Sequence, residues 1–245
     1  MKRKKLAKIR IWLLVITAAL VLLRIGSRIF IGDWFPANTS SMAPAIIPGD
    51  KIWVNKLVFG ARIYKNLDFF KEKSLQSYRI KGQRAIRKGD VVVFNAPVQE
   101  SRPDSIVFKI DRVYVKRCIG LPGDTILVCS PVIRLNLLDS IINWQEYSGA
   151  IYVPKKGDTL YVNNANLNLY HTVIAYETKG TLPANYHVFL QNYYFMYGDN
   201  ALQSYDSRYF GFVPEEFIIG IVTLVIYNSK VEWGQKWERL FKRIN

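Results

Sequence analysis

A chain of 245 residues, half of them hydrophobic and 14% aromatic, is long enough to bury a core and too apolar to be disordered; it holds one large β domain or two small ones. Its formal net charge is +15, with six basic residues and no acid in the first ten positions, so anionic lipid is the expected partner. Zinc-ligand spacing, RNP-like aromatic motifs and a basic recognition helix are lacking, which argues against nucleic acid, and Cys118 and Cys129 lack the spacing of a metal site or disulfide framework, leaving only a single bridge open.

After the basic segment 1–10, an uncharged run covers 11–23. It is short for a spanning helix and matches the apolar core of a secretory signal peptide. However, Leu20-Val21-Leu22-Leu23-Arg24 stands where a small-x-small cleavage site belongs, and apolar residues resume at Ile25, Ile29 and Phe30. We therefore expect an uncleaved anchor over 11–30, with Arg10, Arg24 and Arg28 snorkelling to the headgroups. The positive-inside rule keeps 1–10 cytoplasmic and carries everything after about Arg28 across the membrane. Trp34 and Phe35 suit the bilayer interface.

Next comes Asn38-Thr39-Ser40-Ser41-Met42-Ala43-Pro44, closed by Pro48-Gly49-Asp50. Two prolines and three uncharged hydroxyls predict an extended segment entering a rigid turn that presents one hydroxyl, although such clusters are also ordinary loops. A strand is expected over 51–58, then a basic insertion over 61–86 that rests on anionic lipid or is solvated. Residues 91–94 read as a buried strand. In the strand over 111–119, period-2 alternation sets Arg112, Tyr114, Lys116 and Cys118 on one face and Val113, Val115 and Ile119 on the other. Between 125 and 188, short strand-like runs alternate with Lys155-Lys156-Gly157-Asp158 and Asn163-Asn164-Ala165-Asn166 turns. Core strands are expected at 193–196 and 217–227. In the tail, Trp233, Trp237, Leu240, Phe241 and Ile244 recur at helical spacing, as in an interfacial helix or one packed on the core.

Four segments carry a resemblance. They are the Ser41-Met42-Ala43-Pro44 loop, Arg87-Lys88-Gly89-Asp90-Val91-Val92-Val93-Phe94, Lys116-Arg117-Cys118-Ile119-Gly120-Leu121-Pro122-Gly123-Asp124, and the run from Tyr197-Gly198-Asp199-Asn200 through Ser204-Tyr205-Asp206-Ser207-Arg208-Tyr209 to Pro214. In this order they resemble bacterial signal peptidase I. The resemblance implies a mainly β fold: an antiparallel catalytic core over 31–127 and 188–245, an inserted smaller β cap domain over 128–187, and one N-terminal transmembrane helix. It makes Ser41 the nucleophile, Lys116 its general base, Ser204 a lysine-orienting hydroxyl, and Asp206 with Arg208 a structural ion pair. Oxyanion donors would be the Ser41 N–H and the Thr39 hydroxyl. Phe35, Ala37, Tyr114 and Val115 would line pockets for small substrate side chains. No cofactor and no metal are implied.

A serine–lysine pair needs a lysine desolvated enough to be neutral near physiological pH. The implied enzyme is a membrane-bound serine endopeptidase acting on signal-peptide-bearing preproteins at the extracytoplasmic face of a bacterial inner membrane. Ser40 stands where the family commonly has glycine, and Ala45-Ile46 replaces Thr-Leu; neither change removes a reacting atom. A LexA-like autoprotease shares the dyad but carries a DNA-binding segment where this chain has an anchor. A catalytically silent peptide-binding module would not need Ser41 and Lys116 together.

Overall fold

The computed structural model describes residues 2–65, 77–97, 105–128, 149–181, 183 and 185–244. Helix α1 (Lys2–Phe30) contains a 23-residue stretch, Lys8–Phe30, long and apolar enough to cross a membrane, with none of it buried against the rest of the chain. At about 1.5 Å per residue this covers roughly 35 Å, more than a hydrocarbon core. The arginines near its end are engaged by the protein itself. Arg28 pairs with Asp33 at 2.6 Å, and Arg24 lies 4.7 Å over the Trp34 ring, so the helix end is fastened to the strand that follows.

That strand is β1 (Gly32–Pro36), followed by β2 (Asp50–Asn55), the hairpin β3 (Arg62–Tyr64) and β4 (Ser77–Arg79), then β5 (Val91–Asn95) and β6 (Val113–Gly120). Beyond them come β7 (Thr125–Val128), β8 (Gly149–Tyr152), β9 (Thr159–Tyr161), helix α2 (Asn164–Thr178), β10 (Tyr186–Val188) and β11 (Tyr193–Tyr197). The chain ends with α3 (Ser207–Phe210), β12 (Val213–Pro214), β13 (Ile218–Asn228), α4 (Trp233–Arg239) and β14 (Lys242–Arg243). The main sheet has eight strands in the order β1-β2-β13-β5-β6-β11-β12, with β14 also on β13, and its ladders are antiparallel. Register shifts along β13 mark bulges, which increase twist and curl the sheet.

The alternation along the central strands is apolar on both sides because both faces are covered. Val91 and Val93 join Ala37, Met42, Ile46, Ile52 and Val54 in one cluster, whereas Val92 and Phe94 join Cys118, Phe195, Phe212 and Phe217 in another. Residues 149–178 share the second cluster through Ile151, Val153, Leu169, Tyr170, Val173 and Ile174.

Three segments depart from expectation. The Asn163–Asn166 turn opens a 15-residue helix, because Asn163 and Asn166 cap each other reciprocally at 2.9 Å. The basic 61–86 segment, in its described part, contains the β3–β4 hairpin, and two of its cations turn to the protein instead of to solvent. Arg62 donates to Glu216 O and Asn95 Oδ1 at 2.7 Å, and Arg79 to Gly60 O at 2.7 Å and Ile218 O at 2.6 Å, so both cations staple the β3–β4 hairpin to the main sheet. The tail forms only a seven-residue helix before turning into β14, which brings Ile244 onto the first cluster while Trp237 and Phe241 stay exposed. Cys129 lies outside the described residues; Cys118 is fully buried, and burial pushes its thiol up to about 12.

Candidate active site

Three chain segments converge on one hydroxyl. The first is the loop between β1 and β2, whose neck is closed by Ala37 N donating to Asp50 O and Gly49 N to Ala37 O, both at 2.8 Å. Inside it, Ala43 N bonds Ser40 O and Ile46 N bonds Met42 O, each at 2.9 Å, while Met42 and Ile46 sink into the core. Ser41 is thereby held on a tight turn, 6% exposed. Among the described residues its N–H makes no hydrogen bond, although its carbonyl accepts from Asn200 N at 3.0 Å.

The second segment is β6. Lys116 and Cys118 face inward, as the period-2 pattern requires, and Lys116 is 4% exposed. Its Nζ donates to Ser41 Oγ at 2.7 Å. Thr39 Oγ1 lies 3.3 Å from the same oxygen. Burial lowers the Lys116 amine from 10.5 to about 8, and the Asp206 carboxylate, which favours the ammonium, only partly opposes this. Arg117, on the opposite face, pairs with Asp199 through two 2.7 Å bonds and stays charged.

The third segment runs from β11 into α3. Asp206, fully buried, accepts from Gly198 N at 2.9 Å, from Ser204 Oγ at 2.7 Å, and from Arg208 Nε and Nη2 at 2.9 and 3.0 Å. Saturated in this way, the carboxylate fixes the 198–208 turn beside the lysine. A Cβ on Gly198 would lie 2.0 Å from Ser204 Oγ and 2.7 Å from Ser41 O, so the backbone approaches the loop at a distance only glycine allows. Ser204 differs from expectation: its hydroxyl donates to Asp206, and the lysine's side-chain hydrogen bond goes to Ser41. In this structure Ser204 is therefore bonded to the carboxylate that lies near the amine.

The expected pocket residues divide. Phe35, Ala37 and Val115 pack in one cluster beneath the loop, while Tyr114 stands on the Lys116 face, its ring centroid 5.7 Å from Nζ and stacked on Phe210 at 6.0 Å. β11 pairs with β6 only over Arg117–Gly120, so Val113–Lys116 lie beyond the end of that ladder. Sequence reasoning passed over three contacts. Asn200 binds the Ser40 and Ser41 carbonyls, Gln203 accepts from Ser40 Oγ at 2.6 Å, and Arg239 reaches the loop from the tail. Asn200 was within reach, as part of the Gly198-Asp199-Asn200 motif.

A buried amine hydrogen-bonded to a serine hydroxyl, with a free N–H beside it, is the arrangement of nucleophile, base and oxyanion donor. Residues 9–227 match the family model described as signal peptidase, peptidase S26. This chain belongs to that family. It is 30% identical over 232 residues to signal peptidase I of Rickettsia bellii (strain OSU 85-389), covering 91% of this chain and 73% of that one. It is also 32% identical over 229 residues to signal peptidase I of Rickettsia prowazekii (strain Madrid E), covering 89% and 79%. As a member of the S26 family it is a membrane signal peptidase, a serine endopeptidase.

Proposed function

We propose that this signal peptidase cleaves the signal peptides of exported preproteins with Ser41 as nucleophile and Lys116 as general base. The observation that carries the reading is the 2.7 Å contact between Lys116 Nζ and Ser41 Oγ in a site dry enough to bring the amine to about 8. The neutral amine accepts the Ser41 proton as Oγ attacks the scissile carbonyl carbon. The Ser41 N–H and Thr39 Oγ1–H receive the developing oxyanion. The Lys116 ammonium then returns the proton to the departing amine of the mature protein. A water, deprotonated by the same lysine, attacks the acyl-enzyme and releases the signal peptide. Asp206, Arg208 and Ser204 hold the wall of the site.

The substrate's extended segment adds along Val113–Lys116, beyond the β11 ladder, with its small side chains toward Phe35, Ala37, Tyr114 and Val115. Residues 31–127 and 188–245 carry the chemistry, and 128–187 is an insertion into them. Helix α1 is a single-pass anchor with a cytoplasmic N-terminus, which puts Ser41 outside a bacterial inner membrane and close to anionic lipid. Protease added outside spheroplasts should digest the catalytic part and spare the N-terminus; protection of the catalytic part rejects this orientation.

The deciding assay incubates the detergent-solubilised protein with a preprotein bearing an Ala-x-Ala site and sequences the new N-terminus. Cleavage after the second alanine, lost in Ser41→Ala, supports the reading. Cleavage that survives in Ser41→Ala overturns it.

A further inference from the structure

We infer that Arg239, in the C-terminal tail, is a positioning residue for the nucleophile loop; the inference rests on the reading of Ser41 as nucleophile. The loop 37–50 is fastened at its neck and, through Ser40 and Ser41, to the 198–204 turn. Its far side, at Pro44 and Ala45, has no main-chain hydrogen-bond donor among the described residues. Arg239 supplies that side. Its Nη2 donates to Ala45 O at 3.0 Å and its Nη1 approaches Pro44 O at 3.5 Å.

The same guanidinium grips the base of the loop. Nε donates to Asp50 Oδ1 at 3.1 Å and Nη2 to Asp50 Oδ2. Asp50 is itself spent on the loop, accepting from Ile47 N at 2.9 Å and from Asn228 Nδ2 at 2.8 Å. The Asp50 side chain is fully buried and that of Arg239 is 8% exposed, whereas Trp237, Leu240 and Phe241 around it are exposed. Among the described residues of α4, Arg239 is thus the buried one, and it meets the loop at Pro44 and Ala45, three and four positions from Ser41. A planar fork of donors reaches two carbonyls and both oxygens of a carboxylate, four contacts, whereas an ammonium has only three donors. Loss of the fork frees the turn that holds Ser41 Oγ on Lys116 Nζ, and a misplacement of about 1 Å is enough to slow chemistry by roughly a hundredfold.

The test measures kcat, KM, the pH profile and thermal unfolding of full-length Arg239→Ala, Arg239→Lys and Arg84→Ala in preprotein cleavage. Arg84 forms the same kind of two-bond pair with Asp90, at 2.7 and 2.9 Å, away from the loop. Expected is a fall in kcat of at least about tenfold for Arg239→Ala with KM within about twofold, partial recovery on adding guanidinium ion, and partial recovery in Arg239→Lys. The limb that reports Lys116 should also move to higher pH, because a loosened loop lets water reach the amine. Arg84→Ala should lose stability and keep kcat. Wild-type kcat in folded Arg239→Ala overturns the inference, as does a kcat loss that follows the unfolded fraction and ignores guanidinium. If Arg239→Ala does not fold, Arg239→Lys with wild-type kcat overturns it instead. Ser41→Ala, run alongside, separates the two readings: if it is inactive while Arg239→Ala is unimpaired, only the positioning role fails, whereas activity in Ser41→Ala rejects both.

Discussion

Buried charge is handled in opposite ways in two parts of this molecule. Near the end of α2, the Glu177 side chain is 1% exposed and accepts from His187 Nε2 at 2.7 Å, Leu190 N at 2.9 Å, Gln191 N at 3.2 Å and Tyr193 Oη at 2.9 Å. Glu215 and Glu216 nearby are likewise bonded to Asn192, Tyr194, Tyr176 and Gln191. On β6, Lys116 is buried with one hydroxyl as its side-chain hydrogen-bond partner. A carboxylate surrounded by donors ties elements together. An amine left short of partners gives its proton up easily, which is what a base must do.

The largest effect breaks the under-satisfied side. Ser41→Ala and Lys116→Ala should each reduce kcat by about ten-thousandfold or more, with unfolding temperature little changed, and the double variant should be no worse, since nucleophile and base act as a unit. Lys116→Arg should be equally inactive, because guanidinium does not deprotonate. Single-turnover cleavage measures all four.

Next, Glu177→Ala strips four donors of their acceptor. Its expected cost is about 3 to 5 kcal/mol in denaturant unfolding, with the rate per folded molecule preserved. A large loss of kcat in folded Glu177→Ala would erase the division between the two regions. Thr39→Ala is smaller again: loss of one oxyanion donor should cost about a hundredfold in kcat, roughly 2.7 kcal/mol, with the pH limb unmoved.

The uneven legibility of the sequence follows the same division. Ser41, Lys116 and the 204–208 turn stand out because the groups proposed to react and the backbone approach at Gly198 admit few residue types. Period-2 alternation alone set Lys116 with Cys118, and both are buried. Helix α2 was hidden because its signals are a pair of asparagines, which also favour turns, and an apolar face that makes sense only against the core of the sheet. Arg62, Arg79 and Arg239 look like any surface cations in basic stretches; their partners lie far along the chain, Asp50 being 189 positions from Arg239. Long-range carbonyl and carboxylate partners leave no local pattern.

The finest test of the comparison is titration. With Lys116 at about 8 in the folded state and 10.5 unfolded, kcat/KM should rise about tenfold per pH unit below 8 and level off above it. The stability linkage has the same origin. Between about 8 and 10.5 the unfolded chain holds a proton that the folded one has lost, so this lysine adds stability as pH rises, up to about 3 kcal/mol. Tyr176, Tyr193 and Tyr194, whose burial raises them, act the other way above pH 10, so wild type is best compared with Lys116→Met between pH 7 and 9.5. The smallest expected effect divides one ion pair. Asp206→Asn removes the charge that favours the ammonium, and the limb should move to lower pH; Arg208→Gln leaves that charge unopposed, and the limb should move up. Both shifts should stay below about one unit, 1.4 kcal/mol, while both variants lose stability. Shifts of the same sign would mean that the turn's geometry, and not the Asp206 charge, sets the affinity of Lys116 for its proton.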